Sequence, residues 1–186
     1  MPIAAGEVRV GANGTVYVAP GGTAVPADVN AALNAAFVDV GYVSEEGVTT
    51  SRSLTTEQVR AWQSISTIRY LITEVGYTLS WQMMQYNKTT LPFWLGGGSI
   101  VAQGGGLFKY VVSSAPTIDE RAVVIEWTDG ATIKNRIVIA RGMVTEGGDA
   151  TIGRGAAVQL PITFAAMTPS SGTDLVTYLT NDAAFA

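Results

Sequence analysis

The sequence predicts a mainly β protein: an antiparallel β-sandwich or barrel with one short flanking α-helix and a long projecting loop. Three observations carry that prediction. Val75, Tyr77, Leu79, Trp81 and Met83 alternate with Gly76, Thr78, Ser80 and Gln82, the two-residue period of a strand with one buried face. Glycine, asparagine and aspartate punctuate β-branched runs along the whole chain, with 21 glycines in 186 residues. A single stretch, 87–95, places apolar residues at helical spacing. Many short strands and one helix fit a sandwich or barrel whose open end the helix covers.

Taken in order, residues 7–10 and 15–19 read as two strands around Gly11-Ala12-Asn13-Gly14, because Asn-Gly supplies the positive φ angles of a type I′ turn. Residues 26–36, rich in Ala and Asn behind Asp28, read as a weak helical turn. Residues 37–43 read as a buried strand. Residues 44–58 change character: Glu45-Glu46-Gly47 precedes a run of Thr and Ser that offers a core little, so this is a long polar loop or a projecting hairpin. Residues 59–84 carry the strongest β signal. Ile68, Tyr70 and Ile72 lie on the opposite parity from Val75–Met83, which predicts a bulge near 73–75 or a strand that changes which face is buried.

Leu91, Trp94 and Leu95 predict the helix, capped by Thr89 or Thr90, with Pro92 in its first turn and Gly96 ending it. Residues 107–113 read as a strand. Residues 120–128 and 132–141 form a hairpin around Asp129-Gly130-Ala131, with Thr128 opposite Thr132, Glu126 opposite Lys134 and Val123 opposite Ile137. Residues 156–166 form another strand and residues 174–180 a last short one.

Composition excludes several chemistries. The chain has no His, which removes the usual general base near neutral pH. It has no Cys, so thiol catalysis, cysteine zinc sites and disulfides are impossible. The net charge is −4, the wrong sign for a duplex-DNA binder. Residues 1–10 lack the basic-then-apolar order of a secretory signal, and no stretch reads as a membrane helix, so the chain is expected to be soluble when made, without membrane binding. The glycine triplets at 96–98 and 104–106 lack the Gly-Lys-Ser/Thr of a phosphate loop and read as flexible connections. No Gly-x-Ser-x-Gly elbow exists, and none of Lys88, Lys109 or Lys134 follows a Ser at Ser-x-x-Lys spacing. Glu45-Glu46 is either a loop site for a divalent ion or a solvated or interface pair; neighbours in a strand, such as Asp119-Glu120, point to opposite faces. Trp62, Trp81, Trp94 and Trp127 are either core residues or a sugar platform. No cofactor is expected, and the chain is not expected to be an enzyme. Charged residues make up only 14% of the chain, a surface that suits self-assembly.

Residues 37–97 carry a resemblance. Val40-Gly41-Tyr42-Val43-Ser44-Glu45-Glu46-Gly47-Val48, then Val59-Arg60-Ala61-Trp62-Gln63, then Arg69 and Thr73-Glu74, then Tyr86-Asn87-Lys88, resemble in order the motifs of the tail tube (major tail) proteins of long-tailed, siphovirus-type bacteriophages, especially those infecting actinobacteria. Gln85 stands where an acidic residue is more usual. The resemblance implies one tail-tube domain over 1–186, with an N-terminal arm or hairpin (1–36), a long inter-subunit loop (44–58) and a C-terminal arm (168–186). It implies a structural virion protein, assembled in the host cytoplasm, whose hexameric rings stack into a hollow tube. DNA passes through that tube without specific binding. Tape-measure, tail-terminator and baseplate or tail-tip proteins are the implied partners.

Under that reading Glu45, Glu46, Arg52, Glu57 and Arg60 are the expected inter-subunit or inter-ring contacts, since they gather both signs of charge in a charge-poor chain. Asp39, Glu74, Glu120 and Glu126 are the candidate lumen charges. Six copies at −4 give −24 per ring, which would repel DNA from the wall. Another ring-forming tail or secretion-tube protein and a carbohydrate-binding sandwich are the competing readings.

Overall fold

The computed structural model describes residues 4–185. The expected N-terminal and C-terminal arms extend to residues 1–3 and 186, which lie outside the described residues. Ten strands and one α-helix follow in chain order: β1 (Asn13–Pro20), β2 (Val38–Asp39), β3 (Thr49–Val59), β4 (Arg69–Met83), α1 (Thr90–Trp94), β5 (Ile100–Gly104), β6 (Leu107–Tyr110), β7 (Arg121–Asp129), β8 (Ile133–Gly147), β9 (Leu160–Ala166) and β10 (Thr177–Thr180). All pairings are antiparallel. The main sheet runs β2-β1-β7-β8-β9-β4-β3, with β10 also on β8, and β5-β6 forms a separate hairpin.

The sheet folds over on itself along β8. Residues 133–142 of this strand pair with β7, and residues 142–147 pair with β9. The two halves face each other across one core: Val16, Val18, Val123, Ile125, Ile137 and Ile139 from one, Leu79, Trp81, Met83, Leu160, Ile162 and Phe164 from the other. Gly142 is the corner. A Cβ there would lie 2.4 Å from the Ala165 carbonyl oxygen and 2.5 Å from the Phe164 ring, so only glycine lets β8 cross this close to β9. The halves also meet through residues 40–44: Val40 N donates to Val16 O, Met84 N to Tyr42 O and Ser44 N to Gln82 O, and Val43 bridges Met83. Phe93 of α1 caps the core with ring centroids 6.1 Å from both Trp81 and Phe164.

Several expectations change. Asn13-Gly14 opens β1 and is no turn: Asn13 pairs with Thr128 and Gly14 with Trp127. The long ladder to β7 outweighs the local signal, and the two-strand hairpin over 7–19 does not form. Residues 21–36 contain no helix. They form a strap against the outer face of β8, where the Arg136 guanidinium donates to the carbonyls of Asp28 (2.8 Å) and Ala31 (2.6 Å). Of residues 37–43, only Val38 and Asp39 are strand, and both are exposed. The α1 cap is Asn87, not Thr89 or Thr90: its Oδ1 accepts from Thr89 N (2.8 Å) and Thr90 N (3.1 Å). Thr90 is buried and donates instead to Gln85 O. The triplet 104–106 is no slack connection. It turns β5 into β6, with φ of +58° at Gly105 and +78° at Gly106, as a type I′ turn requires. The β7–β8 loop has the expected three residues, shifted by one: Asp129 opposes Ile133, so Glu126 meets Arg136 and Ile125 meets Ile137. That register sets Glu126 against Arg136, whose guanidinium the strap carbonyls also hold, in place of an exposed pair with Lys134.

Replacing Gly142 by Val should lower stability by about 1–3 kcal/mol through overpacking at the corner. Gly153→Ala, into open space, should change it by less than about 0.5 kcal/mol. Urea midpoints followed by circular dichroism check both.

Candidate functional site

Residues 44–58 are a loop only as far as Val48. From Thr49 they form β3, so the alternative of a projecting hairpin holds. β4 pairs with β9 only over 78–83, while β3 pairs with β4 from Thr49–Ser80 out to Val59–Arg69. Beyond residue 78 the hairpin is therefore a two-stranded ribbon. Both of its outer edges lack partners among the described residues. Every residue of β3 is exposed.

The ribbon has two unlike faces. Register places Thr50, Arg52, Leu54, Thr56 and Gln58 on the side of buried Leu79, together with Tyr77, Val75, Ile72 and Tyr70. This core-side face carries an apolar and aromatic stripe with no acid. The opposite face is mostly polar, with Ser51, Ser53, Thr55, Glu57, Glu74 and Arg69, and carries Leu71 and Val59 near the tip. The expected bulge makes this possible. Thr55 pairs with Glu74 and Thr56 with Ile72, which leaves Thr73 unpaired, and its hydroxyl donates to Thr55 O at 3.2 Å. One extra residue brings Tyr70 and Ile72, of even number, onto the face of odd-numbered Val75 and Tyr77. Leu54, Tyr70, Ile72 and Val75 are exposed there. At the tip, Trp62 and Ile65 are fully exposed.

At the base of the ribbon, Tyr77 meets Tyr178 of β10 hydroxyl to hydroxyl, with ring planes at 79°. Burial, then this hydrogen bond, pushes the Tyr77 hydroxyl up to about 12. Beside it opens a groove of about 1250 Å³ between residues 41–50 and the β1-β7-β8-β10 half. Asp39, Tyr42, Glu45, Glu46, Trp127 and Phe185 are among its lining residues. Ser44 Oγ and Asn135 Nδ2, in two further lining residues, are buried with no hydrogen-bond partner among the described residues.

The predicted charges separate. Arg52, Glu57 and Arg60 lie on the ribbon, and Glu45 and Glu46 lie on the groove, so the five expected contact residues form no single cluster. Arg60 donates to Gln58, and Glu46 accepts from Gln82. Among the candidate lumen charges, Glu120 is held by Arg141 in a two-point pair (Nε to Oε2, 2.9 Å), and Glu126 by Arg136 at 2.6 Å beside the strap. Asp39 and Glu74 are exposed and form no ion pair among the described residues. A pair that sequence reading missed links the chain ends: Arg9 binds buried Asp182, with Nη2 to Oδ1 at 2.7 Å.

Trp81 is core and Trp94 packs against it, Trp127 lines the groove and Trp62 sits at the ribbon tip, so the four indoles form no common platform. Among the described residues no three acidic groups gather as a metal site, and no helix is long and apolar enough to cross a membrane.

The hydrogen bond from Arg141 holds the Glu120 carboxyl below its ordinary value, and that from Arg9 does the same for Asp182. A carboxyl lowered by folding contributes stability above its unfolded value and loses it as pH falls through the folded one. Stability should therefore fall below the ordinary carboxylate range, about pH 4. Glu120→Gln and Asp182→Asn should each flatten that decline in urea midpoints measured from pH 7 to pH 2.5.

A sequence-family model described as phage tail tube protein matches residues 1–186. Comparison with curated proteins gives no match. One similar solved chain comes from the cryo-EM structure of the anti-feeding prophage (AFP) baseplate, 6-fold symmetrised. It is 15% identical, with a TM-score of 0.49, over 96% of this chain and 97% of that one.

Proposed function

This chain belongs to the phage tail tube protein family, and we propose that its copies form stacked, hexameric rings around a lumen that carries phage DNA. It is a structural protein of the phage tail and a component of the virion. The observation that carries the tube reading is the ribbon. A two-stranded hairpin with an exposed apolar face and two open edges is marginal by itself in water. Pairing its edges with neighbouring copies removes that liability. Closed rings pair edges without leaving a free one, and head-to-tail stacking extends them into a filament.

In this reading Arg52, Glu57 and Arg60 contact a neighbouring subunit through the ribbon, and Glu45 and Glu46 through the groove. The N-terminal and C-terminal arms are further contacts. Glu74 and Asp39 are the stronger lumen charges, because each carboxylate is exposed and free of an ion pair. Glu120 and Glu126 are neutralised by arginines and contribute little repulsion. A wall with unpaired carboxylates and hydroxyls lets DNA slide without binding it. The siphovirus type and actinobacterial host rest on the motif resemblance over residues 37–97. So do assembly in the host cytoplasm and partnership with tape-measure, tail-terminator and baseplate or tail-tip proteins.

Negative-stain electron microscopy of the purified chain across concentration and salt should show hollow tubes or six-fold rings. Single rings that never stack would favour a terminator-like role. A strictly monomeric protein at millimolar concentration would count against self-assembly.

A further inference from the structure

The ribbon tip and the groove are complementary, and they cannot meet within one chain. Residues 60–69 hold Arg60 and Arg69, no acid, and the fully exposed Trp62 and Ile65. The groove has room for both side chains. It presents the aromatic rings of Tyr42 and Phe185, and three of its four acids, Asp39, Glu45 and Glu46, form no ion pair among the described residues. Its two basic lining residues are already engaged, Arg9 with Asp182 and Arg136 with Glu126. Ser44 Oγ and Asn135 Nδ2 add buried polar atoms that lack partners. Thr50 lies on the groove wall, and β3 runs from there to the tip. At about 3.3 Å per residue the tip stands roughly 30 Å from its own groove.

We infer that the groove of one copy is the socket for the Trp62–Ile65 tip of a second copy, with Arg60 and Arg69 of the tip against Glu45 and Glu46 of the socket. This rests on the self-assembly reading above and gives it a specific joint. Donor and socket are different patches, so the contact is heterologous, and an open assembly of any length keeps one free tip at one end and one free socket at the other. Such a joint propagates along a filament. Burial of an indole and an aliphatic side chain beside charge pairs is the usual composition of an interface centre.

The absence of cysteine gives a clean test. Gln63→Cys and Glu45→Cys chains are purified separately, mixed and oxidised. The mixed disulfide should exceed by at least ten-fold that between Gln63→Cys and Thr151→Cys, where Thr151 is an exposed loop residue that does not line the groove. Trp62→Ala with Ile65→Ser, in the Gln63→Cys chain, should remove that excess while circular dichroism stays unchanged, since both side chains are fully exposed. Tubes or rings without the mixed disulfide would overturn the joint and leave the tube reading intact. The disulfide in open chains without tubes would support the joint and overturn the tube. Neither would overturn both.

Discussion

Strand β4 belongs to two structures, and the rest of the molecule follows from how it is shared. Over 78–83 it pairs with β9, with β3 on its other side at 78–80 and residues 43–44 at 82–83, and Leu79, Trp81 and Met83 point into the core. Over 69–77 it has β3 alone. Backbone groups need partners wherever water is excluded, so the outer half can be covered only by something that brings hydrogen bonds with it. The body is self-sufficient because β8 turns the sheet over at Gly142 and residues 40–44 join the halves. The ribbon cannot be. Its stripe of Tyr70, Ile72 and Val75 continues the inward face of the sheet past the end of the core that justifies it.

Charge is arranged along the same division. In the body, arginine meets acid: Arg141 on Glu120, Arg136 on Glu126, Arg121 on Asp119, Arg9 on Asp182. These pairs fasten the strap, the β7–β8 register and the chain ends. On the ribbon and groove, Arg52, Arg60, Arg69, Glu45, Glu57 and Glu74 form no ion pair among the described residues. Exposed charges cost little in the free chain, since water solvates them. They gain direction only against a second surface, where complementary potential sets register and encounter rate more than raw affinity.

How much of this was legible in the sequence depended on the range of the interaction. The alternation of Val75–Met83 marked the core strand because one face meets a full core. The parity change at Tyr70 and Ile72 located the bulge, since an apolar stripe survives an odd step only if one residue drops out of the ladder. Helix α1 was visible in Leu91, Trp94 and Leu95, although the cap fell to Asn87, whose amide oxygen reaches two backbone N–H groups. The Asn13-Gly14 turn failed because its local preference competed with an eight-residue ladder to β7. The register at 129–133 failed because Glu126–Arg136 depends on the strap carbonyls that also engage Arg136. Glu45 and Glu46 were picked out by charge, but the groove they share with Trp127 and Phe185 comes from long-range packing. The exposed tip was hidden because Trp62 reads as a core residue until nothing is found to cover it.

The bulge also bears on specificity. An open edge with regular spacing would pair with any extended chain. At Thr73 the ladder is interrupted, and the Thr73 hydroxyl takes the Thr55 carbonyl. Glu57, Glu74 and Arg69 crowd the polar face on both sides of that point, so a strand laid against the edge must match a kink, a twist and a charge pattern together. The device that keeps the apolar stripe on one face thus also breaks the regular spacing of the open edge, and it does so without adding a residue to the core.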